Sequence, residues 1–202
     1  MLEYFTRPFT QKYLFNRLAN KIPNQIHPNI ITLLAILSGI ATAFLLYYNK
    51  IYAATVALIL SGSLDILDGI FARLQGKSSN LGAALDIIGD RIVEFSVIFG
   101  LFLLNPVTRA LPVIIMLGSV LICITSFLIV GIFTENNSQK SFYYHIGLME
   151  RAEAFIFFIL MMIFPQAFNV LAWTFSSLVL LTAIIRFFQF AFSNTLINNR
   201  NQ

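Results

Sequence analysis

The sequence predicts an all-α integral membrane protein with six transmembrane helices, preceded by an amphipathic juxtamembrane helix. Hydrophobic residues make up 58% of the chain and charged residues only 11%, which is far from the balance of a soluble domain. The apolar residues also gather into six runs separated by charges and turn residues. A chain of 202 residues has room for about six spans of roughly 20 residues each, and none for a separate soluble domain.

The first element is the segment 1–28, in which aromatic and aliphatic residues alternate with Arg and Lys. This pattern is typical of an amphipathic helix lying among lipid headgroups, and a solvated basic arm is the alternative. The segment has no continuous apolar core, so we do not expect a signal peptide. We therefore expect one membrane domain, 1–202, in which residues 29–193 form the six-helix bundle and residues 194–202 form a cytoplasmic tail.

The six spans follow in order along the chain, joined by short breaker sequences. Asn49-Lys50, Asn105-Pro106 and Phe164-Pro165-Gln166 predict three tight connections on one side of the membrane. The predicted spans are Ile30–Tyr48, Ile51–Ala72, Ala84–Leu104, Leu111–Phe133, Ala152–Phe164 and Phe168–Ala191.

Basic residues are distributed unevenly between the two sides of this topology. Near the span ends, the side that holds both chain termini carries nine Lys and Arg residues, whereas the other side carries only Lys50 and Arg109. By the positive-inside rule both termini face the cytoplasm. The net charge of +4 is therefore a signal of membrane orientation, and we expect no nucleic-acid partner. The single cysteine, Cys123, excludes a disulfide within the chain.

Acidic residues are concentrated where an apolar protein tolerates them least. Four of the nine in the chain fall between Asp65 and Asp90, inside or beside predicted spans. A lone carboxylate at mid-membrane depth costs a few kcal/mol, and neighbouring carboxylates repel one another. Two Mg²⁺ or Mn²⁺ ions would balance the four negative charges and satisfy the carboxylate oxygens. The cluster therefore predicts a divalent metal site.

The spacing of these residues predicts that they converge. Asp65 and Asp68 are three residues apart on one predicted helix, and Gly82, Asp86 and Asp90 follow at intervals of four on the next. A link through Gly76 turns the chain back, so the two helices run antiparallel with all four carboxylates near the cytoplasmic boundary. Glycines beside the acids allow close approach of a phosphorylated ligand, and Arg73 can reach a phosphate.

These residues together carry a resemblance: Asp65-x-x-Asp68-Gly69-x-x-Ala72-Arg73, then eight residues, then Gly82-x-x-x-Asp86-x-x-x-Asp90. The pattern resembles the signature of the CDP-alcohol phosphotransferase family. The resemblance implies a membrane enzyme that moves a phosphoalcohol group from a CDP-linked donor, often CDP-diacylglycerol, to an acceptor hydroxyl and releases CMP. It also implies a homodimer.

The resemblance further implies roles for individual residues. Asp65, Asp68 and Asp86 would be metal ligands, and Asp90 would lie near the metals and act as the general base. Residues in positions that hold the CDP group in relatives are Asn29, Thr32, Gly69, Arg73, Ser79 and Gly82. A helix N-cap is the alternative role for Asn29, and an ordinary loop serine is the alternative for Ser79.

The acceptor is the part of the reaction that the signature leaves open. Lys140, Arg151 and Arg186 resemble in placement the basic pocket with which phosphatidylinositol-phosphate synthases hold a phosphorylated alcohol. Ala154 stands where that subgroup has a second arginine, so one anion contact is missing. A neutral or zwitterionic acceptor such as inositol, serine or choline is the alternative. Arg186 could instead extend to the membrane surface or pair with Glu94.

Two alternatives from other classes of protein remain. The intramembrane carboxylates could form the ion pathway of a small cation or proton transporter, although such a protein needs polar residues along several spans. The chain could also be a binding protein that no longer turns over, although the intact Asp90 argues against this.

Overall fold

The computed structural model describes residues 27–77, 79–133 and 148–200, with side chains described as far as Phe192 in the last helix. The predicted amphipathic segment, apart from its last two residues, and the predicted site residue Lys140 lie outside these ranges. All regular structure in the described ranges is helical. The helices are α1 (Pro28–Tyr47), α2 (Ile51–Leu74), α3 (Asn80–Leu103), α4 (Pro106–Phe133), α5 (Arg151–Ile163) and α6 (Phe168–Arg200), with a short 3₁₀ helix at Pro165–Ala167.

Each predicted span corresponds to one of these helices, with two notable differences at the ends. Helix α4 begins at Pro106 instead of Leu111, because a proline is well suited to the first position of a helix and the Asn105 side chain accepts from Thr108 N. Helix α6 continues to Arg200, beyond the predicted end at Ala191. No proline or glycine follows Ala191 to interrupt it.

Within the described residues, four helices are long and apolar enough to cross a membrane: α1, α2, α4 and α6. Helix α3 carries three charged residues, Asp86, Asp90 and Arg91, within its first half, and α5 has 13 residues, which reach only about 20 Å against a hydrocarbon core of about 30 Å. The chain is therefore a multi-pass integral membrane protein. The predicted total of six membrane-spanning helices remains a prediction.

Helix α1 packs along both α2 and α3, while α4 packs along α6. Two serines tie α1 to α2, since Ser38 Oγ donates to the Ala57 carbonyl and Ser61 Oγ donates to the Ala35 carbonyl, both at 2.8 Å. Interhelical hydrogen bonds of this kind help to hold helices together in lipid, where the hydrophobic effect does not favour contact between helices. Helix α5 lies inside the bundle, where Phe158 and Met161 are fully buried.

Small residues bring α1 and α3 close together. A Cβ atom added to Gly100 would lie 2.9 Å from Ala43 Cα, and one added to Gly39 would overlap the Val93 side chain. A backbone atom cannot rotate away as a side chain can, so the Gly100 contact sets the separation of the two helices. Because α3 carries half of the acidic cluster, this packing also positions the candidate site.

We therefore expect Gly100→Ala to destabilise the protein by about 1–3 kcal/mol, because the two helices must separate to admit the methyl group. Thermal unfolding in detergent would detect this as a lower Tm. Gly118→Ala on α4 is the matched control, since a Cβ there has no atom of the described structure within 4 Å. Equal melting temperatures for the two variants would contradict the close packing.

The turn between α2 and α3 positions the two halves of the acidic motif. Gly76 has a positive φ of 63°, Gly76 N donates to the Arg73 carbonyl and Lys77 N donates to the Ala72 carbonyl. These two bonds form a Schellman motif, which ends a helix at a left-handed glycine. The predicted reversal through Gly76 is confirmed, and α3 runs back from the end of α2 with α1 packed against both helices.

Candidate active site

A cavity of about 260 Å³ lies between the start of α1, the end of α2 and the start of α3. It is lined by three of the four acidic residues and by every residue predicted to hold the CDP group. These residues are Asn29, Thr32, Asp65, Asp68, Gly69, Arg73, Ser79, Gly82 and Asp86. The convergence predicted from the sequence is therefore present for this set.

Local capping explains how the polar residues reach the cavity wall. Helix α1 is capped by His27, whose Nδ1 accepts from Asn29 N, so Asn29 is not the cap and its side chain lies near Gly82. Ser79 is the N-cap of α3, where its Oγ accepts from Gly82 N at 3.0 Å. A cap role and a place in the cavity wall therefore coexist at Ser79.

Asp65, Asp68 and Asp86 form a compact group, in which one carboxylate oxygen from each residue lies within 4.8 Å of the others. Asp68 is 6% exposed, and its Oδ2 is buried without a hydrogen-bond partner in the described structure. A buried carboxylate oxygen is costly unless a donor or cation satisfies it. Oxygen ligands of this kind suit Mg²⁺ or Mn²⁺. The three residues therefore fit a divalent metal ion.

Asp90 lies outside this compact group, one helical turn beyond Asp86 on α3. Its Oδ1 is 2.5 Å from Arg151 Nη1, and the same guanidinium contacts the Asp65 carboxylate. Arg151 is the first residue of α5, so this ion pair joins the start of α5 to both α2 and α3. Arg151, predicted to bind the acceptor, is thus held between a candidate metal ligand and the candidate base.

A second cavity of about 240 Å³ lies on the other side of this group, between α3, α4, α5 and α6. Asp90, Arg151 and Arg186 line it, and Asp86 lines both cavities. The compact acidic group therefore stands where the two cavities meet. Two different molecules could reach it, one from each side.

Two other arginines in the second cavity have distinct environments. Arg91 Nη1 lies 2.6 Å from Glu94 Oε2, so Glu94 is paired on its own helix. Arg186 donates to the Cys123 carbonyl at 3.5 Å and lies over the Phe127 ring, with no carboxylate partner in the described part of the chain. The suggested pairing of Arg186 with Glu94 is therefore wrong, because the nearer Arg91 takes that carboxylate.

Several residues that line the two cavities are not among the site residues predicted from the sequence. Lys77 lines the first cavity, and its position just after Gly76 in the turn could have indicated this. Glu150 and Cys123 line the second cavity. No pattern in the sequence marks those two, because they reach the cavity only through the packing of α4 and α5 against α3.

The geometry agrees with the comparison to known proteins. The model of the CDP-alcohol phosphatidyltransferase family matches residues 25–192, which include both cavities in the described chain. The chain belongs to this family. Membership in a family of transferases argues against the transporter alternative.

Individual relatives agree with this assignment. The family member is 32% identical over 168 residues to the inner membrane protein YnjF of Escherichia coli, covering 80% of this chain and 81% of that protein. It is 32% identical over 123 residues to a bifunctional IPC transferase and DIPP synthase of Archaeoglobus fulgidus, covering 61% of this chain but only 25% of that protein. The chain thus spans about a quarter of the archaeal protein.

A solved structure shows that the fold is shared. The crystal structure of Mycobacterium tuberculosis phosphatidylinositol phosphate synthase (PgsA1) with CDP-DAG bound superposes with a TM-score of 0.74 at 21% identity. The match covers 88% of this family member and 93% of that chain. The predicted all-helical membrane fold is therefore confirmed.

Proposed function

We propose that this protein transfers a phosphatidyl group from CDP-diacylglycerol to the hydroxyl of a small polar, phosphorylated alcohol and releases CMP. The observation that carries the proposal is the position of Asp86, which lines both the first cavity, where the residues predicted to hold the CDP group converge, and the second cavity, which contains three arginines. A donor and an acceptor bound on either side would meet at the acidic group. The CDP-DAG in the related solved structure supports the choice of donor.

The reaction is a single displacement at the phosphorus atom beside the lipid. The acceptor oxygen forms a new P–O bond, and the bond between that phosphorus and the oxygen bridging it to the CMP phosphate breaks. We assign the proton of the acceptor hydroxyl to the Asp90 carboxylate, which lines the second cavity. Arg151 holds Asp90 in place through their ion pair. CMP leaves with the bridging oxygen and its negative charge.

Asp65, Asp68 and Asp86 are the residues that we propose hold divalent ions, Mg²⁺ or Mn²⁺, two for each site, with Asp90 as a further ligand. Such ions, when bound, neutralise the phosphoryl oxygens and the leaving CMP. The donor residues have a separate task. The two terminal nitrogens of the Arg73 guanidinium lie 3.6 and 4.0 Å from the position that a Cβ atom on Gly69 would occupy. Because Gly69 has no side chain, a donor phosphate can approach the α2 backbone there, beside the guanidinium.

The assignment of the acceptor site depends on which arginine of the second cavity has no carboxylate partner among the described residues. Arg91 is paired with Glu94, and Arg151 is paired with Asp65 and Asp90. Arg186 is the guanidinium of this cavity that has no carboxylate partner among the described residues, so it is the best placed to bind a phosphate. Lys140 would be a second contact, although it lies outside the described residues.

A neutral or zwitterionic acceptor is the second candidate. Four acidic residues line the second cavity against three arginines, and two of those arginines are already paired.

A panel of acceptors distinguishes the two candidates. Purified protein in lipid nanodiscs would receive CDP-diacylglycerol, Mg²⁺ and, separately, glycerol 3-phosphate, inositol 1-phosphate, inositol, serine and choline. CMP release is expected with a phosphorylated alcohol, and no release with any acceptor would contradict the transferase proposal.

For a phosphorylated acceptor, Arg186→Ala should raise the KM for that acceptor roughly ten- to a hundredfold. A charge-assisted hydrogen bond contributes on the order of 1.5–3 kcal/mol, which corresponds to that range. The KM for CDP-diacylglycerol should remain unchanged, because Arg186 does not line the first cavity, which we assign to the donor and call the donor cavity. Steady-state kinetics with each substrate varied in turn would measure both values.

Two comparisons sharpen this measurement. Arg186→Lys keeps the positive charge and should restore part of the affinity. Arg151→Ala should lower kcat as well as acceptor affinity, because Arg151 also positions Asp90. An equal penalty for inositol and inositol phosphate in Arg186→Ala would show that Arg186 does not bind the acceptor phosphate.

Three further features of the proposal come from the sequence and the family resemblance. The distribution of basic residues supports a cytoplasmic location for both termini and for the site. Membrane lipids surround the bundle, and the family resemblance supports a homodimer. These features remain predictions.

A further inference from the structure

A third cavity lies at the end of the bundle opposite the acidic group. It has a volume of about 410 Å³ and is formed where the three short connections between helices meet. Asn49, Asn105 and Gln166, one from each connection, line it. The cavity opens beside the start of α2, and Asp65 is about 20 Å further along that helix. It therefore has no part in the proposed transferase site.

Arg109 is the unusual residue of this cavity. Its side chain lines the cavity, yet the residue is only 5% exposed. Its Nη1 donates to the Leu101 carbonyl at 2.8 Å, and its guanidinium carbon lies 4.2 Å from the centre of the Phe168 ring. No carboxylate in the described ranges pairs with it. A buried charge without a counter-ion is costly, and a guanidinium has five N–H donors, so an oxyanion would satisfy it well.

The remaining polar groups around Arg109 also suit an anion. Asn105, Thr108, Gln166 and Asn169 are exposed side chains with hydrogen-bond donors, and none of the described lining residues is acidic. A planar, doubly donating group beside several neutral donors is typical of phosphate recognition.

The exposed aromatic residues around the cavity favour a lipid headgroup as the source of the phosphate. Exposed aromatic residues surround this end of the bundle: Tyr47, Tyr48, Tyr52, Phe164 and Trp173. Tyr and Trp concentrate at the interface between hydrocarbon and water, which is the level of lipid headgroups. Arg109 therefore lies at the depth where phospholipid phosphates occur.

We propose that this cavity binds the phosphate of an anionic phospholipid headgroup on the membrane face opposite the transferase site. Arg109 contacts the phosphate, and the amide side chains contact the other headgroup oxygens. This lipid is distinct from the donor and the product, which use the cavities at the other end of the bundle.

Binding of short-chain lipids to the purified full-length protein in detergent tests the proposal. Dioctanoyl phosphatidylglycerol is expected to bind at least about tenfold more tightly than dioctanoyl phosphatidylcholine and than inorganic phosphate. Arg109→Gln should weaken phosphatidylglycerol binding roughly ten- to a hundredfold, as expected for the loss of a charge-assisted contact. Asn169→Leu fills the cavity and should also weaken binding, and it keeps the buried arginine in case Arg109→Gln does not fold.

A control variant locates the binding site. Lys50→Ala removes an exposed charge at the same end of the bundle that does not line the cavity. This variant should bind phosphatidylglycerol as the unmodified protein does. The proposal would be overturned if the protein bound the two lipids with equal affinity, or if it bound inorganic phosphate as tightly as phosphatidylglycerol. Unchanged phosphatidylglycerol binding in both Arg109→Gln and Asn169→Leu would also overturn it.

Discussion

Replacing Asp90 with asparagine is expected to lower kcat by roughly 10²- to 10⁴-fold while donor binding remains largely intact. An amide cannot accept the proton of the acceptor hydroxyl, and general-base catalysis contributes a factor of this size. Asp90 does not line the donor cavity, so affinity for CDP or CDP-diacylglycerol should change little. CMP release under saturating substrates and titration with CDP would measure the two quantities separately.

A matched control for this variant lies one turn further along the same helix. Glu94 lines the same cavity but is paired with Arg91, so Glu94→Gln should retain most of the turnover. Near-normal kcat in Asp90→Asn would remove Asp90 as the base. An equal loss in both variants would show that any change of charge in this cavity is harmful, without a specific role for Asp90.

Removal of divalent ions is expected to abolish turnover completely. Three carboxylates within 4.8 Å of one another repel strongly, and the pyrophosphate of the proposed donor would add further negative charge to the same cavity. CMP release should therefore stop in excess EDTA and return when Mg²⁺ or Mn²⁺ is added beyond the chelator. Monovalent salt should not restore it. Undiminished turnover in EDTA would contradict the metal assignment.

The variant Asp68→Asn tests whether the acidic group holds the divalent ions that turnover requires. Removal of a buried ligand should raise the Mg²⁺ concentration for half-maximal activity at least about tenfold, since even residues that only support metal ligands contribute that much. Arg73→Ala is the control, because it should weaken donor binding without changing the Mg²⁺ requirement. A normal Mg²⁺ requirement in Asp68→Asn would exclude this residue as a ligand.

The sequence predicted the acidic group well because local geometry determines most of it. Asp65 and Asp68 share a face of one helix through the helical period, and Gly76 could only end that helix in a reversal. Asp86 then follows at a fixed interval on the returning helix. These local rules place the carboxylates at matching ends of α2 and α3, and the packing of α1 against both helices then brings three carboxylates within 4.8 Å of one another.

The partners of the arginines could not be predicted in the same way. Arg151 reaches Asp65 and Asp90 only because α5 packs inside the bundle, which no local pattern encodes. The sequence suggested Arg186 as a partner for Glu94, but Glu94 pairs with Arg91, three residues before it on α3. A contact three residues away on one helix needs little ordering, whereas a contact with Arg186 requires a bond across helices.

The meeting of the two cavities at Asp86 gives two parts of the described chain different proposed tasks. The described walls of the first cavity come only from α1, α2, α3 and the turn between α2 and α3, whereas the second cavity uses α4, α5 and α6 in addition to α3. A change of acceptor would then require substitutions in α4, α5 and α6, which leave the walls of the first cavity intact. A signature confined to α2 and α3 would accordingly be shared by enzymes that make different lipids.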